Sequence, residues 1–311
     1  MVERVSIEVR DRLDPEEARA LSDVLAAAEA VDGASPINAD ALTDLSQHGR
    51  PGLVALIAWQ AGRDRPAGYA QVAHGSSGWT LEYVVDPEAR LPEAGVGEDL
   101  AGEAIRHIAG EGGGPLQLWI TSPRRADERV AAAAGLVPAR SLYQVRRPLP
   151  VGDELMATIK PLATRPFRPG EDETAWLEVN NRAFAWHPEQ GGWDLATIAG
   201  REAQPWFDPD GFLLHEEGGR LLGFCWTKVH RDQDPVQGEI YVIAVDPGAG
   251  GHGLGRALVL TGLDHLTRRG ITVGMLYVDA DNGSAVKLYV DLGFEVHHVN
   301  WAYTTTVEPS R

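Results

Sequence analysis

Glu239-Ile-Tyr-Val-Ile-Ala-Val-Asp-Pro247, then Gly250-Gly-His-Gly-Leu-Gly255, then the apolar-periodic run from Arg256 to Thr267: the order of these three segments decides how the chain is read. A Val- and Ile-rich run closed by Asp-Pro is a strand ending in a turn, and a run with apolar residues every three or four positions is a helix. The loop between them lacks Cβ atoms at most positions, so a phosphate can approach the N–H groups that open the helix. Taken alone, such a loop fits a plain strand-to-helix connection equally well.

The same order occurs earlier in the chain. Trp79-Thr-Leu-Glu-Tyr-Val-Val-Asp-Pro87 is followed by Glu88 to Gly97 and by a helical run from Glu98 to Ile108. Each half then has a second strand (116–120 and 275–278) and a helix that ends at Gly135-Leu136 or Gly293-Phe294. The halves are offset by 160 residues at the Asp-Pro pair and by 158 at the terminal glycine, which predicts two copies of one α/β unit with a mixed sheet in each. A proline-rich stretch from Arg146 to Gly170 reads as the connection, so the division is placed at 1–150 and 151–311. A helix from Glu171 to Phe184, with Ala175, Val179 and Ala183 on its buried face, opens the second copy.

Composition narrows the function. The 311 residues are 43% hydrophobic, enough for two cores, and carry a formal charge of −17. That charge argues against a nucleic-acid partner, which needs clustered Lys and Arg, and suits a cationic substrate. The single cysteine, Cys225, lies in an apolar run and reads as a core residue. No stretch approaches ~18 uninterrupted apolar residues and the N-terminus lacks a signal core, so a cytoplasmic protein without membrane contact is expected. His187 and His230 lack metal-ligand spacing with other His or Cys, so they are read as loop-orienting residues and no metal is expected.

The run Asn282-Gly-Ser-Ala285-Val-Lys-Leu-Tyr289-Val-Asp-Leu-Gly293-Phe294 follows the second strand of the second copy. With the glycine loop before it, this run resembles the second cofactor motif of the GNAT acetyltransferase superfamily. The resemblance implies two tandem acyl-CoA N-acyltransferase domains, with acetyl-CoA as donor and direct attack of an amine on the thioester. It places acetyl-CoA on Ile243, Ala244 and Val245, on Gly250, Gly251, His252, Gly253, Leu254, Gly255 and Arg256, and on Asn282, Gly283, Ser284, Ala285, Val286 and Lys287. It implies an oxyanion donor among the N–H groups of 243–245, Tyr289 as the acid that protonates the thiolate, and Glu239 as general base. The alternatives remain a core tyrosine and a solvent-facing strand carboxylate. The family usually has Gln or Arg where Gly250 stands, which removes one phosphate contact.

The two copies differ at these positions. Glu239 falls opposite Trp79 and Tyr289 opposite Ala131, so the first copy is expected to perform no chemistry. Its equivalents of the cofactor residues are Tyr83, Val84 and Val85 with Ala94, Gly95, Val96, Gly97 and Glu98, on a loop two residues longer.

Asn180-Asn181-Arg-Ala-Phe184, His187-Pro-Glu189-Gln-Gly-Gly-Trp193, Trp206-Phe-Asp-Pro-Asp-Gly211 and Trp226-Thr-Lys228-Val-His230 closely resemble the mycothiol synthase family over the whole chain. Members acetylate the cysteinyl amine of a cysteine-glucosamine-inositol conjugate. The resemblance implies this pseudo-disaccharide as substrate, contacted by Glu189, Lys228, Glu239 and Tyr277, with a carboxylate from the first copy. The family's glutamate after Val31-Asp32-Gly33 is not matched; Ala39 stands in its register, and the adjacent Asp40 is the candidate. An aminoglycoside or protein N-terminus as acceptor, and a non-enzymatic acetyl-CoA-binding protein, are the rival readings. A monomer is expected.

Overall fold

The computed structural model describes residues 5–49, 52–75, 78–91, 94–187, 190–231, 233–249 and 253–310, with the side chains of residues 39 and 40 outside that description. The chain forms two compact units, one of Met1–Leu142 with His298–Arg311, the other of Tyr143–His297.

The first unit contains β1 (Val5–Arg10), α1 (Pro15–Asp32), α2 (Ala39–Ser46), β2 (Leu53–Gln60), β3 (Gly68–Gly75), β4 (Gly78–Val85), α3 (Val96–Gly110), β5 (Gly114–Thr121) and α4 (Arg125–Ala133), and it ends within β6 (Val137–Pro148). Strands β1 to β4 form an antiparallel meander, and β4 pairs parallel with β5. The second unit adds α5 (Asp153–Met156), β7 (Arg165–Pro166), α6 (Glu173–Ala183), α7 (Leu195–Glu202), β8 (Phe212–Glu217), β9 (Arg220–His230), β10 (Gln237–Val245), α8 (Leu254–Arg268), β11 (Val273–Asp279) and α9 (Gly283–Asp291). Its strand order is β6-β11-β10-β9-β8-β7, with β10 and β11 parallel. The last strand, β12 (Glu295–Val307), starts in the second unit, and its segment from Asn300 to Val307 runs antiparallel to β5 of the first.

Dividing the chain at 150/151 therefore follows the repeat along the sequence, whereas packing follows the strands. The chain's last segment completes the first unit: Tyr303 and Val307 are buried in its core with Leu116, Leu118 and Ile120. Since β6 and β12 are equivalent strands of the two copies, no local pattern tells which sheet each joins.

Helix α6 corrects one expectation. Trp176, Leu177, Val179 and Asn180 are buried, while Ala175 is exposed and Ala183 only half-buried. The helix turns its largest apolar surface inward, because an indole removes far more area from water than an alanine methyl. Trp176 is the hub of an aromatic cluster, with edge contacts to Trp193, Phe212, Phe224 and Trp226 and with Phe212 stacked on Trp226 at 4.3 Å. Cys225, on the opposite face of β9, is fully buried, and burial pushes its thiol far above the usual range.

Candidate active site

In the second unit, β10 bonds to β11 only through Gln237, Glu239 and the glycine between them, which face Val273 to Met275. Beyond Glu239, β10 continues to Val245 in a ladder with β9 alone. The β10 N–H and C=O groups that face away from β9 over Ile243, Ala244 and Val245 thus have no strand to bond, and these half-buried residues leave them open to an incoming partner. A register shift between Ile240 and Val242, with Tyr241 as the extra residue, bends β10 at the same place. The result is a split between parallel strands, lined by unpaired peptide groups, into which an extended amide-bearing chain fits.

Below the split, helix α8 begins at Gly253, which has φ 76° and gives no side-chain cap. By contrast, Asp14, Asn38, Asp194 and Asn282 cap α1, α2, α7 and α9 with their side chains. The first N–H groups of α8 are left without a side-chain partner and carry the positive end of a 15-residue helix dipole, a setting for phosphate. Leu254 and Gly255 open that helix; Gly250, Gly251 and His252 lie outside the described residues. Arg256 donates to Thr158 Oγ1 at 3.3 Å. On the neighbouring helix, Asn282 Oδ1 accepts from Ala285 N, and Ser284 Oγ donates to the same oxygen. Gly283 is exposed, Val286 is half-buried against the core, and Lys287 pairs with Asp291 at 3.1 Å on the surface.

Glu239 and Tyr289 approach the split from opposite faces of the sheet. Glu239 is directly opposite Lys228 and lies on the α6 face, with its carboxylate 8% exposed and Oε2 2.7 Å from His230 Nε2. Tyr289 packs on the α8 face with Leu258, Leu292 and Phe294. Burial pushes its phenol far above the usual tyrosine range, and nearby Cys225, which faces Ile243 across the ladder, adds to the shift. This tyrosine stays protonated at neutral pH.

Around Glu239 the α6 face carries polar and aromatic groups. Lys228 Nζ lies 4.7 Å from the Trp206 ring centroid and 5.5 Å from that of Tyr241. On β11, Tyr277 Oη accepts from Gln144 Nε2 at 2.8 Å, and Gln144 Oε1 in turn accepts from Arg146 Nε at 2.7 Å. Although Tyr277 is 42% exposed, the partial burial of its phenol raises its pKa, the Gln144 bond opposes the rise and the charge of Glu239 adds to it. Glu189 lies outside the described residues; Asp40 lies in α2 with its side chain outside them. His187 Nδ1 accepts from Gln190 N and its Nε2 is 3.4 Å from Asp279, so this histidine ties its turn to the end of β11. The sequence alone did not single out Tyr241, Gln144 or Arg146, because their role depends on strand register.

The first unit has the same split with different contents. β4 pairs with β5 only over Trp79 to Leu81, and Gly95, with φ 61° and no side-chain cap, opens α3. A cavity of about 380 Å³ fills the split and is lined by Tyr83, Val84, Val85, Gly95, Val96, Gly97 and Glu98; Ala94 is buried beside it. Trp79, where the second unit has Glu239, donates to Gly113 O, and buried Ala131 stands where it has Tyr289. Tyr83 Oη donates to Asp127 Oδ1 at 2.5 Å. Asp32 meets Arg90 through two bonds of 2.7 Å and Arg124 through a third. Burial works to raise the Asp32 carboxyl, yet the two guanidiniums hold it below its ordinary value.

Among the described residues, no group of three or more His, Cys, Asp or Glu is placed to hold a metal, and no helix is long and apolar enough to cross a membrane. The model of the acetyltransferase (GNAT) family matches residues 174–294. A mycothiol acetyltransferase of Nocardia farcinica is 42% identical over 307 residues, covering 96% of this chain and 97% of that one. One of Thermomonospora curvata is 44% identical, covering 91% and 93%. Among solved structures, a GCN5-related N-acetyltransferase from Sphaerobacter thermophilus superposes with TM-score 0.75 at 23% identity, covering 98% of this chain and 97% of that one. A tandem GNAT protein from the clavulanic acid pathway superposes with TM-score 0.72 at 18% identity, covering 99% and 100%, and extends the two-copy fold over the full length. The split strands, the uncapped helix and the relatives agree: the chain is an acetyl-CoA-dependent N-acetyltransferase and belongs to the mycothiol acetyltransferase family of the GNAT acetyltransferases.

Proposed function

We propose that the second unit transfers acetyl to the cysteinyl amine of a cysteine-glucosamine-inositol conjugate, the final step of mycothiol formation. The relatives' shared name supports the substrate. The observation that carries the reaction is the pairing of a buried carboxylate, Glu239, with a buried protonated phenol, Tyr289, on opposite faces of one strand split. When bound, acetyl-CoA supplies an acetyl thioester as electrophile. Glu239 takes the ammonium proton directly or through water and frees the amine lone pair. The unpaired N–H groups of Ile243 to Val245 donate to the carbonyl oxygen as charge builds on it. Tyr289 then gives its proton to the departing sulfur. N–H groups at Gly253, Leu254 and Gly255 hold the pyrophosphate, together with Gly250, Gly251, His252 and Arg256, and the residues from Asn282 to Lys287 flank the pantetheine.

For the acceptor, Trp206 and Tyr241 offer apolar faces to sugar rings, while Lys228, Tyr277 and Glu189 supply partners for hydroxyls. The first unit performs no transfer and holds acetyl-CoA as a scaffold through Tyr83, Val84, Val85 and the 94–98 segment. The protein works in the cytoplasm as a monomer. Incubation with the cysteinyl conjugate and acetyl-CoA, read by mass and by thiol release, tests the reading: a 42-dalton gain on the conjugate at stoichiometric thiol release is expected from replacing H by acetyl, about 42 daltons. Transfer to an aminoglycoside or peptide amine but not to the conjugate would contradict it.

A further inference from the structure

Resting on the reading of Glu239 as the base, we infer that His230 is its positioning residue, which fixes the carboxylate and leaves one oxygen free for the amine. The strand register sets up the contact. In the β9–β10 ladder Lys228 stands directly opposite Glu239 and His230 opposite Gln237, so the histidine reaches the glutamate on the diagonal of the same face. A lysine opposite a buried carboxylate would ordinarily pair with it. Here Lys228 Nζ lies over the rings of Trp206 and Tyr241 instead, and the partner of Glu239 is His230, at 2.7 Å.

An ionised carboxylate has only acceptors, so at this distance His230 Nε2 carries the proton and donates. Among the described residues no further partner reaches Glu239, which leaves Oε1 without one. A side chain 8% exposed needs at least one donor to hold its carboxylate in one rotamer. One donor meets that need, whereas an ammonium partner and a second donor would occupy the lone pairs that must take the proton. The histidine side chain is 21% exposed and acts through the carboxylate, with no contact to substrate required.

The test is a double-mutant cycle on the full chain with the amine substrate and acetyl-CoA. His230→Ala is expected to lower kcat about tenfold with KM for acetyl-CoA within about twofold. His230→Gln, whose amide donates to the same oxygen, restores most of that loss. In a Glu239→Gln background, His230→Ala adds no further loss, because its effect passes through the missing carboxylate. Full kcat in His230→Ala, an equal loss in His230→Ala and His230→Gln, or multiplying losses in the double variant would each overturn the inference. Full activity of Glu239→Gln by itself removes the base reading beneath it, so the two failures are told apart.

Discussion

The two units share a backbone device and differ in what fills it. In each, a parallel strand pair stays bonded for three residues and then splits, and a helix opens at a glycine in the left-handed region with no side-chain cap. The side chains at the two positions proposed for proton transfer differ. The second unit has Glu239 and Tyr289; the first has Trp79 and Ala131, and Tyr83 and Asp127, bonded to each other, line its cavity. In the proposed function, binding a thioester follows from strand geometry, whereas using it depends on two side chains.

The largest effect that sharpens this contrast is at Glu239. Glu239→Gln is expected to reduce kcat by about 10²- to 10⁴-fold at neutral pH, with partial recovery as pH rises and more free amine is present. The matching change in the first unit, Trp79→Phe, leaves kcat within about twofold; steady-state thiol release checks both. Next is Tyr289→Phe, expected to cost about 10- to 100-fold with acetyl-CoA and less with a thioester whose thiol leaves readily. Since burial raises the phenol, the protonated acid persists at every lower pH, and kcat should show no alkaline loss from Tyr289 below about pH 10.

The glycines break the comparison at the level of binding. A β-branched side chain is strained at a φ of 76° or 61° and covers the helix N–H groups. Gly253→Val is expected to raise KM for acetyl-CoA at least tenfold, by about the cost of one strained residue. Gly95→Val leaves turnover within about twofold and removes one acetyl-CoA from the stoichiometry measured by calorimetry.

Smaller effects concern stability. Trp176→Ala should cost about 3–5 kcal/mol in the second unit, through lost burial and an unfilled cavity, as read by denaturant unfolding. Asp172 accepts from Arg165 at 2.6 and 2.8 Å and from Arg168 N at 2.7 Å. Burial alone would raise this carboxyl, and the arginine bonds bring it below its ordinary value. Its stabilising contribution is therefore present above the unfolded carboxyl's pKa and is lost as pH falls through the depressed folded value. Asp172→Asn should destabilise by about 1–2 kcal/mol at pH 7, and the gap to the parent should close below about pH 4.

Much of this contrast is legible in the sequence. Strand, glycine loop and helix are local patterns, and the duplicated Asp-Pro turn set the alignment that put Trp79 against Glu239. Register was not legible. Whether Glu239 meets Lys228 or His230 depends on how β9 lies against β10, and whether the chain's end completes its own copy or the other depends on which of two equivalent strands joins which sheet. The α6 face is hidden in the sequence because alanines recur every four residues, whereas the burial of the single Trp176 sets the face. Asp32, Arg90 and Arg124 converge from positions 58 and 92 residues apart, a meeting no short motif encodes.

The claim that chemistry belongs to the second unit alone is tested most directly by single-turnover acetyl transfer in a Glu239→Gln/Tyr289→Phe double variant. This account predicts less than about 1% of the parent rate with acetyl-CoA still bound, in line with the loss of both proton-transfer groups. A double variant that keeps a tenth or more of that rate would show that acetyl transfer occurs elsewhere, and would contradict it.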